Sequence, residues 1–175
     1  MDLRILEAGD AATFKTLRLE ALRECPTAFS SSYEEECDIP LEQAAKRMTP
    51  NRDRAIFGVF DGASLVGTLG LYRENRVKLA HKAVIWGVYV APAFRGRGIA
   101  RLLLDRALAH AASMSGVLQV TLGVNTANAA AIALYTSAGF EPFGLERGFM
   151  RVDGALQDEL HMVRAIAQLH GPQLQ

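Results

Sequence analysis

The first third of the chain alternates between short apolar runs and polar segments. Leu3 to Glu7 alternates residue by residue, which predicts a short strand. Asp10 is suited to cap a helix whose apolar residues recur at helical spacing until Pro26 ends it. After a stretch rich in serine and glutamate, a short helix is expected between Pro40 and Pro50. This part of the sequence therefore predicts one strand and two helices.

Two later segments predict β-hairpins, because an Asp-Gly pair between apolar runs favours a tight turn. The first hairpin is expected from Ala55 to Tyr72 around Asp61-Gly62, and the second from Phe143 to Val163 around Asp153-Gly154.

The segment between the hairpins predicts alternating strands and helices. Lys82 to Val90 is almost continuously apolar, as expected of a central strand covered on both faces. A strand at Val117 to Val124 and a helix at Ala127 to Ala138, closed by Gly139, come later. Between them, a helix from about Arg97 to Ser113 is expected to bury Leu102, Leu103, Ala107 and Leu108. This order predicts an α/β (α+β) fold with a mixed sheet and helices on both faces.

Composition narrows the class of protein without naming it. The chain has 175 residues, and we expect one domain over residues 1–175. Its formal net charge is zero and half of its residues are hydrophobic, so disorder and nucleic-acid binding are not expected. Cys25 and Cys37 lack the spacing of metal ligands or of a disulfide framework, and they fit a reducing cytoplasm. No signal peptide or membrane span is expected, because the first residues lack an apolar segment and no run of 18 apolar residues occurs.

The turn after the central strand is the most informative local feature. It reads Arg95-Gly96-Arg97-Gly98-Ile-Ala100-Arg101, and it leads into a helix whose start carries arginines but no carboxylate. Cations oppose the helix dipole there, so an anion, most often a phosphate, is expected to bind to the helix N-terminus. The plainer alternative is that the glycines only make a tight turn and that Arg101 pairs with Asp105 on the helix surface.

Two other glycine-rich motifs do not fit this turn. A Walker loop requires Gly-Lys followed by Ser or Thr, which the chain lacks. A dinucleotide-binding turn requires a small third residue where Arg101 stands, and it normally follows an early strand.

A second constellation follows about 30 residues later. Asn128, Ala131 and Tyr135 recur at i, i+3 and i+7, so they share one helix face. A face with an amide, a small residue and a phenol suits a polar, extended ligand better than a plain core. For Tyr135 alone, a half-buried aromatic with a structural hydrogen bond is the alternative interpretation.

Together these motifs resemble those of the GNAT superfamily of N-acetyltransferases. Arg-x-x-Gly-x-Ala at Arg95–Ala100 is similar to the coenzyme A pyrophosphate loop of that family. Asn-x-x-Ala-x-x-Leu-Tyr-x-x-x-Gly-Phe at Asn128–Phe140 is similar to its second motif. The motifs lie within Lys82–Phe140, about a third of the chain, whereas the N-terminal third, where the family varies with the acceptor, shows no comparable match.

The resemblance implies a mostly antiparallel twisted sheet of about seven strands, an acetyl-CoA-binding core over residues 82–140 and an acceptor-facing N-terminal third. It implies transfer of an acetyl group to a primary amine of a small molecule or peptide by direct attack on the thioester, with Tyr135 as general acid and no metal. It also implies that the strand Ile85 to Val90 is splayed from its neighbour and leaves backbone amides free. Contacts to acetyl-CoA are implied for Val88, Tyr89, Val90, Arg95, Gly96, Arg97, Gly98, Ile99, Ala100, Arg101, Asn128 and Ala131.

Several questions stay open from the sequence. The family often uses a carboxylate on the central strand as general base, and none stands between Lys82 and Val90. Glu34, Glu35 and His81 are candidates, although each also fits a solvated surface position. The remaining histidines, His110, His161 and His170, are expected to be structural or exposed. The missing carboxylate leaves a non-catalytic acyl-CoA-binding or sensor module as the alternative function, and the acceptor and a homodimer stay undecided.

Overall fold

A computed structural model describes residues 1–166 of the chain. Within this range the chain forms seven strands and five α-helices, joined by short 3₁₀ turns. The strands are β1 (Asp2–Ile5), β2 (Arg54–Asp61), β3 (Ser64–Arg73), β4 (Lys82–Val90), β5 (Gln119–Asn125), β6 (Glu141–Val152) and β7 (Ala155–Ala165). The helices are α1 (Ala11–Glu24), α2 (Tyr33–Cys37), α3 (Leu41–Met48), α4 (Ile99–Ser113) and α5 (Ala129–Ser137).

All seven strands form one sheet in the order β1-β2-β3-β4-β5-β7-β6. Every neighbouring pair is antiparallel except β4 and β5, which are parallel and connected through α4. A parallel pair needs such a crossover because its two strands run in the same direction. The predicted mixed, mostly antiparallel seven-stranded sheet is therefore confirmed.

Helices cover both faces of the sheet, as predicted, because the strands alternate their side chains between two cores. On one face, Ile56 and Leu65 pack against Leu17, Ala21 and Leu22 of α1. On the other face, strand residues such as Phe57 and Leu69 pack against a stripe of α4 formed by Ile99, Leu103, Leu104, Ala107 and Ala111. We call these the α1 face and the α4 face.

Two local expectations differ from the structure. Leu102 is 47% exposed, whereas Leu104 is fully buried. The reason is that α4 begins at Ile99 and turns the stripe of Ile99, Leu103 and Ala107 towards the sheet. The stretch after Pro26 also contains the short helix α2, capped by reciprocal hydrogen bonds between Ser32 and Glu35.

His170 and the other residues after 166 lie outside the described residues, so the expected exposure of His170 and the single domain over residues 1–175 stay predictions. Cys25 and Cys37 are free thiols. Among the helices of residues 1–166, none is long and apolar enough to cross a membrane. The same part of the chain holds no group of three His, Cys, Asp or Glu side chains arranged to bind a metal.

Candidate active site

The sheet is split between β4 and β5. The two strands are paired only from Lys82 to Val84, opposite Gln119 to Thr121. Beyond this point β4 keeps β3 as its partner and β5 keeps β7, so the facing edges separate. The split opens a cleft in the middle of the sheet.

A bulge in β4 lies next to the split. Thr68 pairs with Tyr89 and Gly70 with Trp86, so Gly87 and Val88 together lie opposite one residue of β3. Gly87 has a φ of +63°, a conformation that glycine adopts without steric cost.

After the bulge, backbone direction decides which groups face the cleft. The amide of Ala91 donates to the carbonyl of Val66 on β3, at 2.9 Å. Alternate residues of a strand present their backbone groups to the same edge, so the amides of Val88 and Val90 point away from β3. They therefore face the split.

The cleft has a volume of about 380 Å³ and is lined by six parts of the chain. They are the segment after α1, strand β4, the loop before α4, the first turn of α4, strand β5 and helix α5 with its cap. Of the residues predicted to contact acetyl-CoA, those among its lining are Val88, Tyr89, Val90, Arg95, Ala100, Asn128 and Ala131, together with the predicted acid Tyr135.

The loop between β4 and α4 ends the cleft on one side. Gly96 and Gly98 have φ values of +74° and +77°, and a Cβ at either position would meet no atom within 4 Å. Glycine is therefore favoured here by the left-handed backbone and not by crowding. Within residues 1–166, no oxygen accepts a hydrogen bond from the amides of residues 96–101. Consecutive unpaired amides at the start of a helix are suited to hold an anion.

The three arginines of this turn have different surroundings. Arg95 donates to Glu24 at 2.8 Å and to the carbonyl of Val90 at 2.9 Å. Arg101 pairs with Asp105 at 2.9 Å, as the surface-pair alternative expected. Arg97 lies over the ring of Phe94 and has no ion pair with any described residue. Arg97 is thus the arginine with most capacity for a new anion.

Ile99 and Tyr89 were also predicted to contact acetyl-CoA, but their side chains are buried in the two cores, which leaves only their backbone for such a contact. Ile99 is 3% exposed and its side chain packs on Gly67 in the core. Tyr89 turns its ring to the α1 face, where its hydroxyl donates to Glu24 and lies 3.3 Å from a carboxylate oxygen of Glu20. Burial raises the pKa of Tyr89, and hydrogen bonding to Glu24 raises it further.

Helix α5 borders the cleft through the predicted second motif. Asn128 caps the helix, since its side-chain oxygen accepts from the amide of Ala131 at 3.1 Å. Part of the signal at Asn128 therefore has a structural cause. Ala131 has a small side chain and leaves space on this side of the helix, and Tyr135 follows one turn later on the same side.

Tyr135 is 6% exposed and packs edge-on against Phe140, with ring centroids 6.0 Å apart. Burial raises the pKa of its hydroxyl to about 12. No partner for this hydroxyl is found in the described part of the chain, although the side chain lines the cleft. A phenol that stays protonated at neutral pH and faces a cleft can act as a proton donor.

The predicted base candidates do not line the cleft. Glu34 lies in the exposed first turn of α2, and the side chain of Glu35 is occupied as a helix cap. His81 precedes β4 at the paired end of the split, seven residues and about 23 Å of strand from Val88.

Two residues outside the predicted motifs, Asn125 and Trp86, shape the cleft. Asn125 is 5% exposed, and its amide nitrogen donates to Thr27 after α1 at 3.1 Å and to Gln157 of β7 at 3.2 Å. Trp86 lies over Gly70, where a Cβ would approach the indole to 2.1 Å, and it also borders a second cavity of about 290 Å³ under α1 and α3. In the sequence, the only sign of this role for Asn125 was a polar residue directly after the predicted strand Val117 to Val124.

Comparison with known proteins agrees with this geometry. A model of the acetyltransferase (GNAT) family matches residues 18–140, and the chain belongs to that family.

Curated relatives of the chain carry out N-acetylation on different acceptors. The chain is 43% identical over 98 residues to N-alpha-acetyltransferase RimI of Mycobacterium tuberculosis, which covers 56% of this chain and 59% of that protein. It is 27% identical over 164 residues to spermidine N(1)-acetyltransferase of Vibrio cholerae, which covers 93% and 91% of the two chains. The matched region therefore spans about three-fifths of the first of these relatives.

Solved structures share the fold. An acetyltransferase of the GNAT family from Streptococcus pneumoniae superposes with a TM-score of 0.83 over 95% of this chain and 99% of that chain, at 20% identity. The putative acetyltransferase yncA from Salmonella typhimurium, solved with acetyl-CoA, gives a TM-score of 0.79 over 99% and 98%, also at 20% identity. At these identities the likeness supports the fold alone.

Proposed function

We propose that this chain is an acetyl-CoA-dependent N-acetyltransferase that acetylates a primary amine of a small molecule or peptide. One observation carries the proposal: the split between β4 and β5 leads from unpaired amides at the start of α4 to the hydroxyl of Tyr135, which lines the cleft. A diphosphate bound at one end and a thioester near the other would fit this arrangement. Family membership supports the same chemistry.

The cleft residues divide the chemical work between them. The amides of residues 96–101 and the side chain of Arg97 would bind the diphosphate. The amides of Val88 and Val90 face the split, where they can donate to the pantetheine and to the oxyanion formed on attack. Tyr135 would then protonate the departing thiolate, because its raised pKa keeps the proton on the phenol until that charge develops.

The acceptor is addressed less directly. The relatives' names include a ribosomal-protein alanine and spermidine, so both an N-terminal peptide amine and a polyamine are reasonable acceptors to test. A homodimer and a cytoplasmic location remain predictions.

Release of free thiol from acetyl-CoA tests the proposal. The purified chain would be incubated with acetyl-CoA and a panel containing spermidine, an N-terminal alanyl peptide, amino acids and an aminoglycoside. We expect amine-dependent thiol release with at least one acceptor and a matching acetylated product by mass spectrometry. Tight binding of acetyl-CoA without release from any amine would instead favour the non-catalytic sensor, which the absence of a carboxylate in β4 makes worth testing.

A further inference from the structure

The side chain of Glu159 on β7 lies over Gly123 of β5, beside the cleft. A Cβ built on Gly123 would come within 2.0 Å of a Glu159 carboxylate oxygen, and Gly123 itself lines the cleft. The carboxylate can lie there only because position 123 has no side chain. The neighbouring pairs Asn125 with Glu159 and Gly123 with His161 set this placement through the β5–β7 register.

The face of the sheet on which Glu159 lies is informative. Leu122 and Val124 point into the α4-face core, so Gly123 between them faces the α1 side. Trp86 is on that side as well, since it shares a cavity with Phe14 and Ile56. Tyr135 belongs to the core of the α4 face. The carboxylate and the phenol therefore approach the split from opposite faces.

Glu159 is largely buried and has a charged neighbour, as is common for carboxylates that exchange protons. Its side chain is 15% exposed, and His161 lies 3.6 Å from it. Burial raises its pKa, His161 lowers it and Glu146 raises it. His161 in turn contacts Glu146 at 3.1 Å, and Glu146 is 54% exposed, so the cluster extends from the cleft edge to solvent. Within the described chain, His161 is the one charged partner that lies within ion-pair distance of Glu159.

We propose that Glu159 is the general base that takes the proton from the acceptor ammonium; this assignment rests on the proposed function. One ammonium proton passes to a Glu159 oxygen, and the freed nitrogen lone pair forms a bond to the thioester carbon. Collapse of the adduct breaks the C–S bond, and the thiolate takes the Tyr135 proton. The second proton lost by the nitrogen restores Tyr135, and the first leaves Glu159 for solvent.

The assignment explains why β4 carries no carboxylate. The base would be supplied from the C-terminal hairpin across a glycine of β5, on the face opposite the acid. An amine that enters from the α1 side would meet Glu159 before it reaches the thioester. The three earlier candidates lie elsewhere, whereas Glu159 reaches the cleft edge.

The test compares E159Q with the wild type on the panel amine that is acetylated fastest. We expect kcat/KM at pH 7 to fall about 100-fold, the lower range of general base catalysis. The loss should shrink at high pH, where the amine deprotonates without help, and acetyl-CoA affinity by calorimetry should be unchanged. E141Q, which replaces an exposed carboxylate on the same hairpin, is the matched control and should behave as wild type.

G123A provides a second route that leaves Glu159 in the chain. The added Cβ would displace the end of a flexible side chain, so the variant should fold and yet lose activity with the same pH signature. Activity within threefold of wild type and an unchanged pH profile in E159Q would overturn the assignment while the proposed function stands. A wild-type chain that releases no thiol with any amine would overturn both.

Discussion

The two sides of the split sheet differ in how clearly the sequence marks their residues. The proposed cofactor side consists of the loop of residues 95–98 and helix α5, which are short, local and marked by their own residues. The proposed acceptor side consists of Trp86, Asn125 and Glu159, which belong to three different strands and come near the cleft only through the fold of the sheet. Under the proposal, backbone amides bind the ligand on the first side, and side chains from distant strands face the acceptor on the second. A family can therefore keep one side constant while the other varies with the acceptor.

The largest effect is expected from Y135F on the cofactor side. Removing the hydroxyl removes the proton for the departing thiolate, so we expect kcat to fall about 100-fold. Binding of acetyl-CoA should change little, because the ring and its packing on Phe140 remain. Steady-state thiol release and calorimetry measure the two quantities. An unchanged kcat would exclude Tyr135 from proton transfer, and Y72F on the outer part of β3 serves as the control.

Arg97 tests whether the turn binds the diphosphate through a free cation. R97A should weaken coenzyme A binding about tenfold, or about 1.4 kcal/mol, and the loss should decrease at high salt. R101A removes an arginine that already pairs with Asp105, so we expect less than about a threefold change. Equal effects of the two substitutions would contradict the distinction drawn between these arginines.

Gly98 tests the backbone contribution of the same turn. G98A forces a Cβ into the left-handed region at φ +77°, at a cost of about 1–2 kcal/mol. We expect a lower melting temperature and a several-fold weaker affinity for coenzyme A. G9A is a suitable control, because Gly9 has open space around it and no positive φ. If both variants melt together with the wild type, the left-handed turn is not a constraint.

The smallest effect is expected from Glu24, which links helix α1 to Arg95 of the loop before α4. Hydrogen bonds from Tyr89 and Arg95 lower the pKa of Glu24 in the folded chain. A lowered folded pKa adds stability above the ordinary carboxyl range and loses it as the pH falls through the folded value. E24Q should therefore cost about 0.5 kcal/mol at pH 7, since Arg95 is partly exposed, and almost nothing at an acidic pH below the lowered pKa of Glu24. Urea unfolding at the two pH values measures the difference, and a constant gap would argue against an ionic contribution.

The predictability of the molecule follows the same division. The strand Lys82 to Val90 follows from apolar patterning, and the tight turn at Gly96 and Gly98 follows from local turn chemistry, so both could be predicted from the sequence. The pairing of Arg95 with Glu24 joins residues 71 positions apart, and no local pattern marks it. Glu159 reaches Gly123 only through strand register, which a one-residue slip would abolish. Leu102 was misassigned because Leu102, Leu103 and Leu104 are consecutive, so apolar character alone does not show which of them shares a face with Ile99 and Ala107.

The split leaves the sheet short of a strand over half the length of β4. Exposed strand edges usually invite unwanted association, and here the edge lies inside a cleft that admits a narrow chain with amide groups. A pantetheine arm has the width and the polar spacing to fill that gap as a surrogate strand. Bound acetyl-CoA would thus complete the sheet reversibly, and we expect the protein to be most rigid in the acetyl-CoA complex.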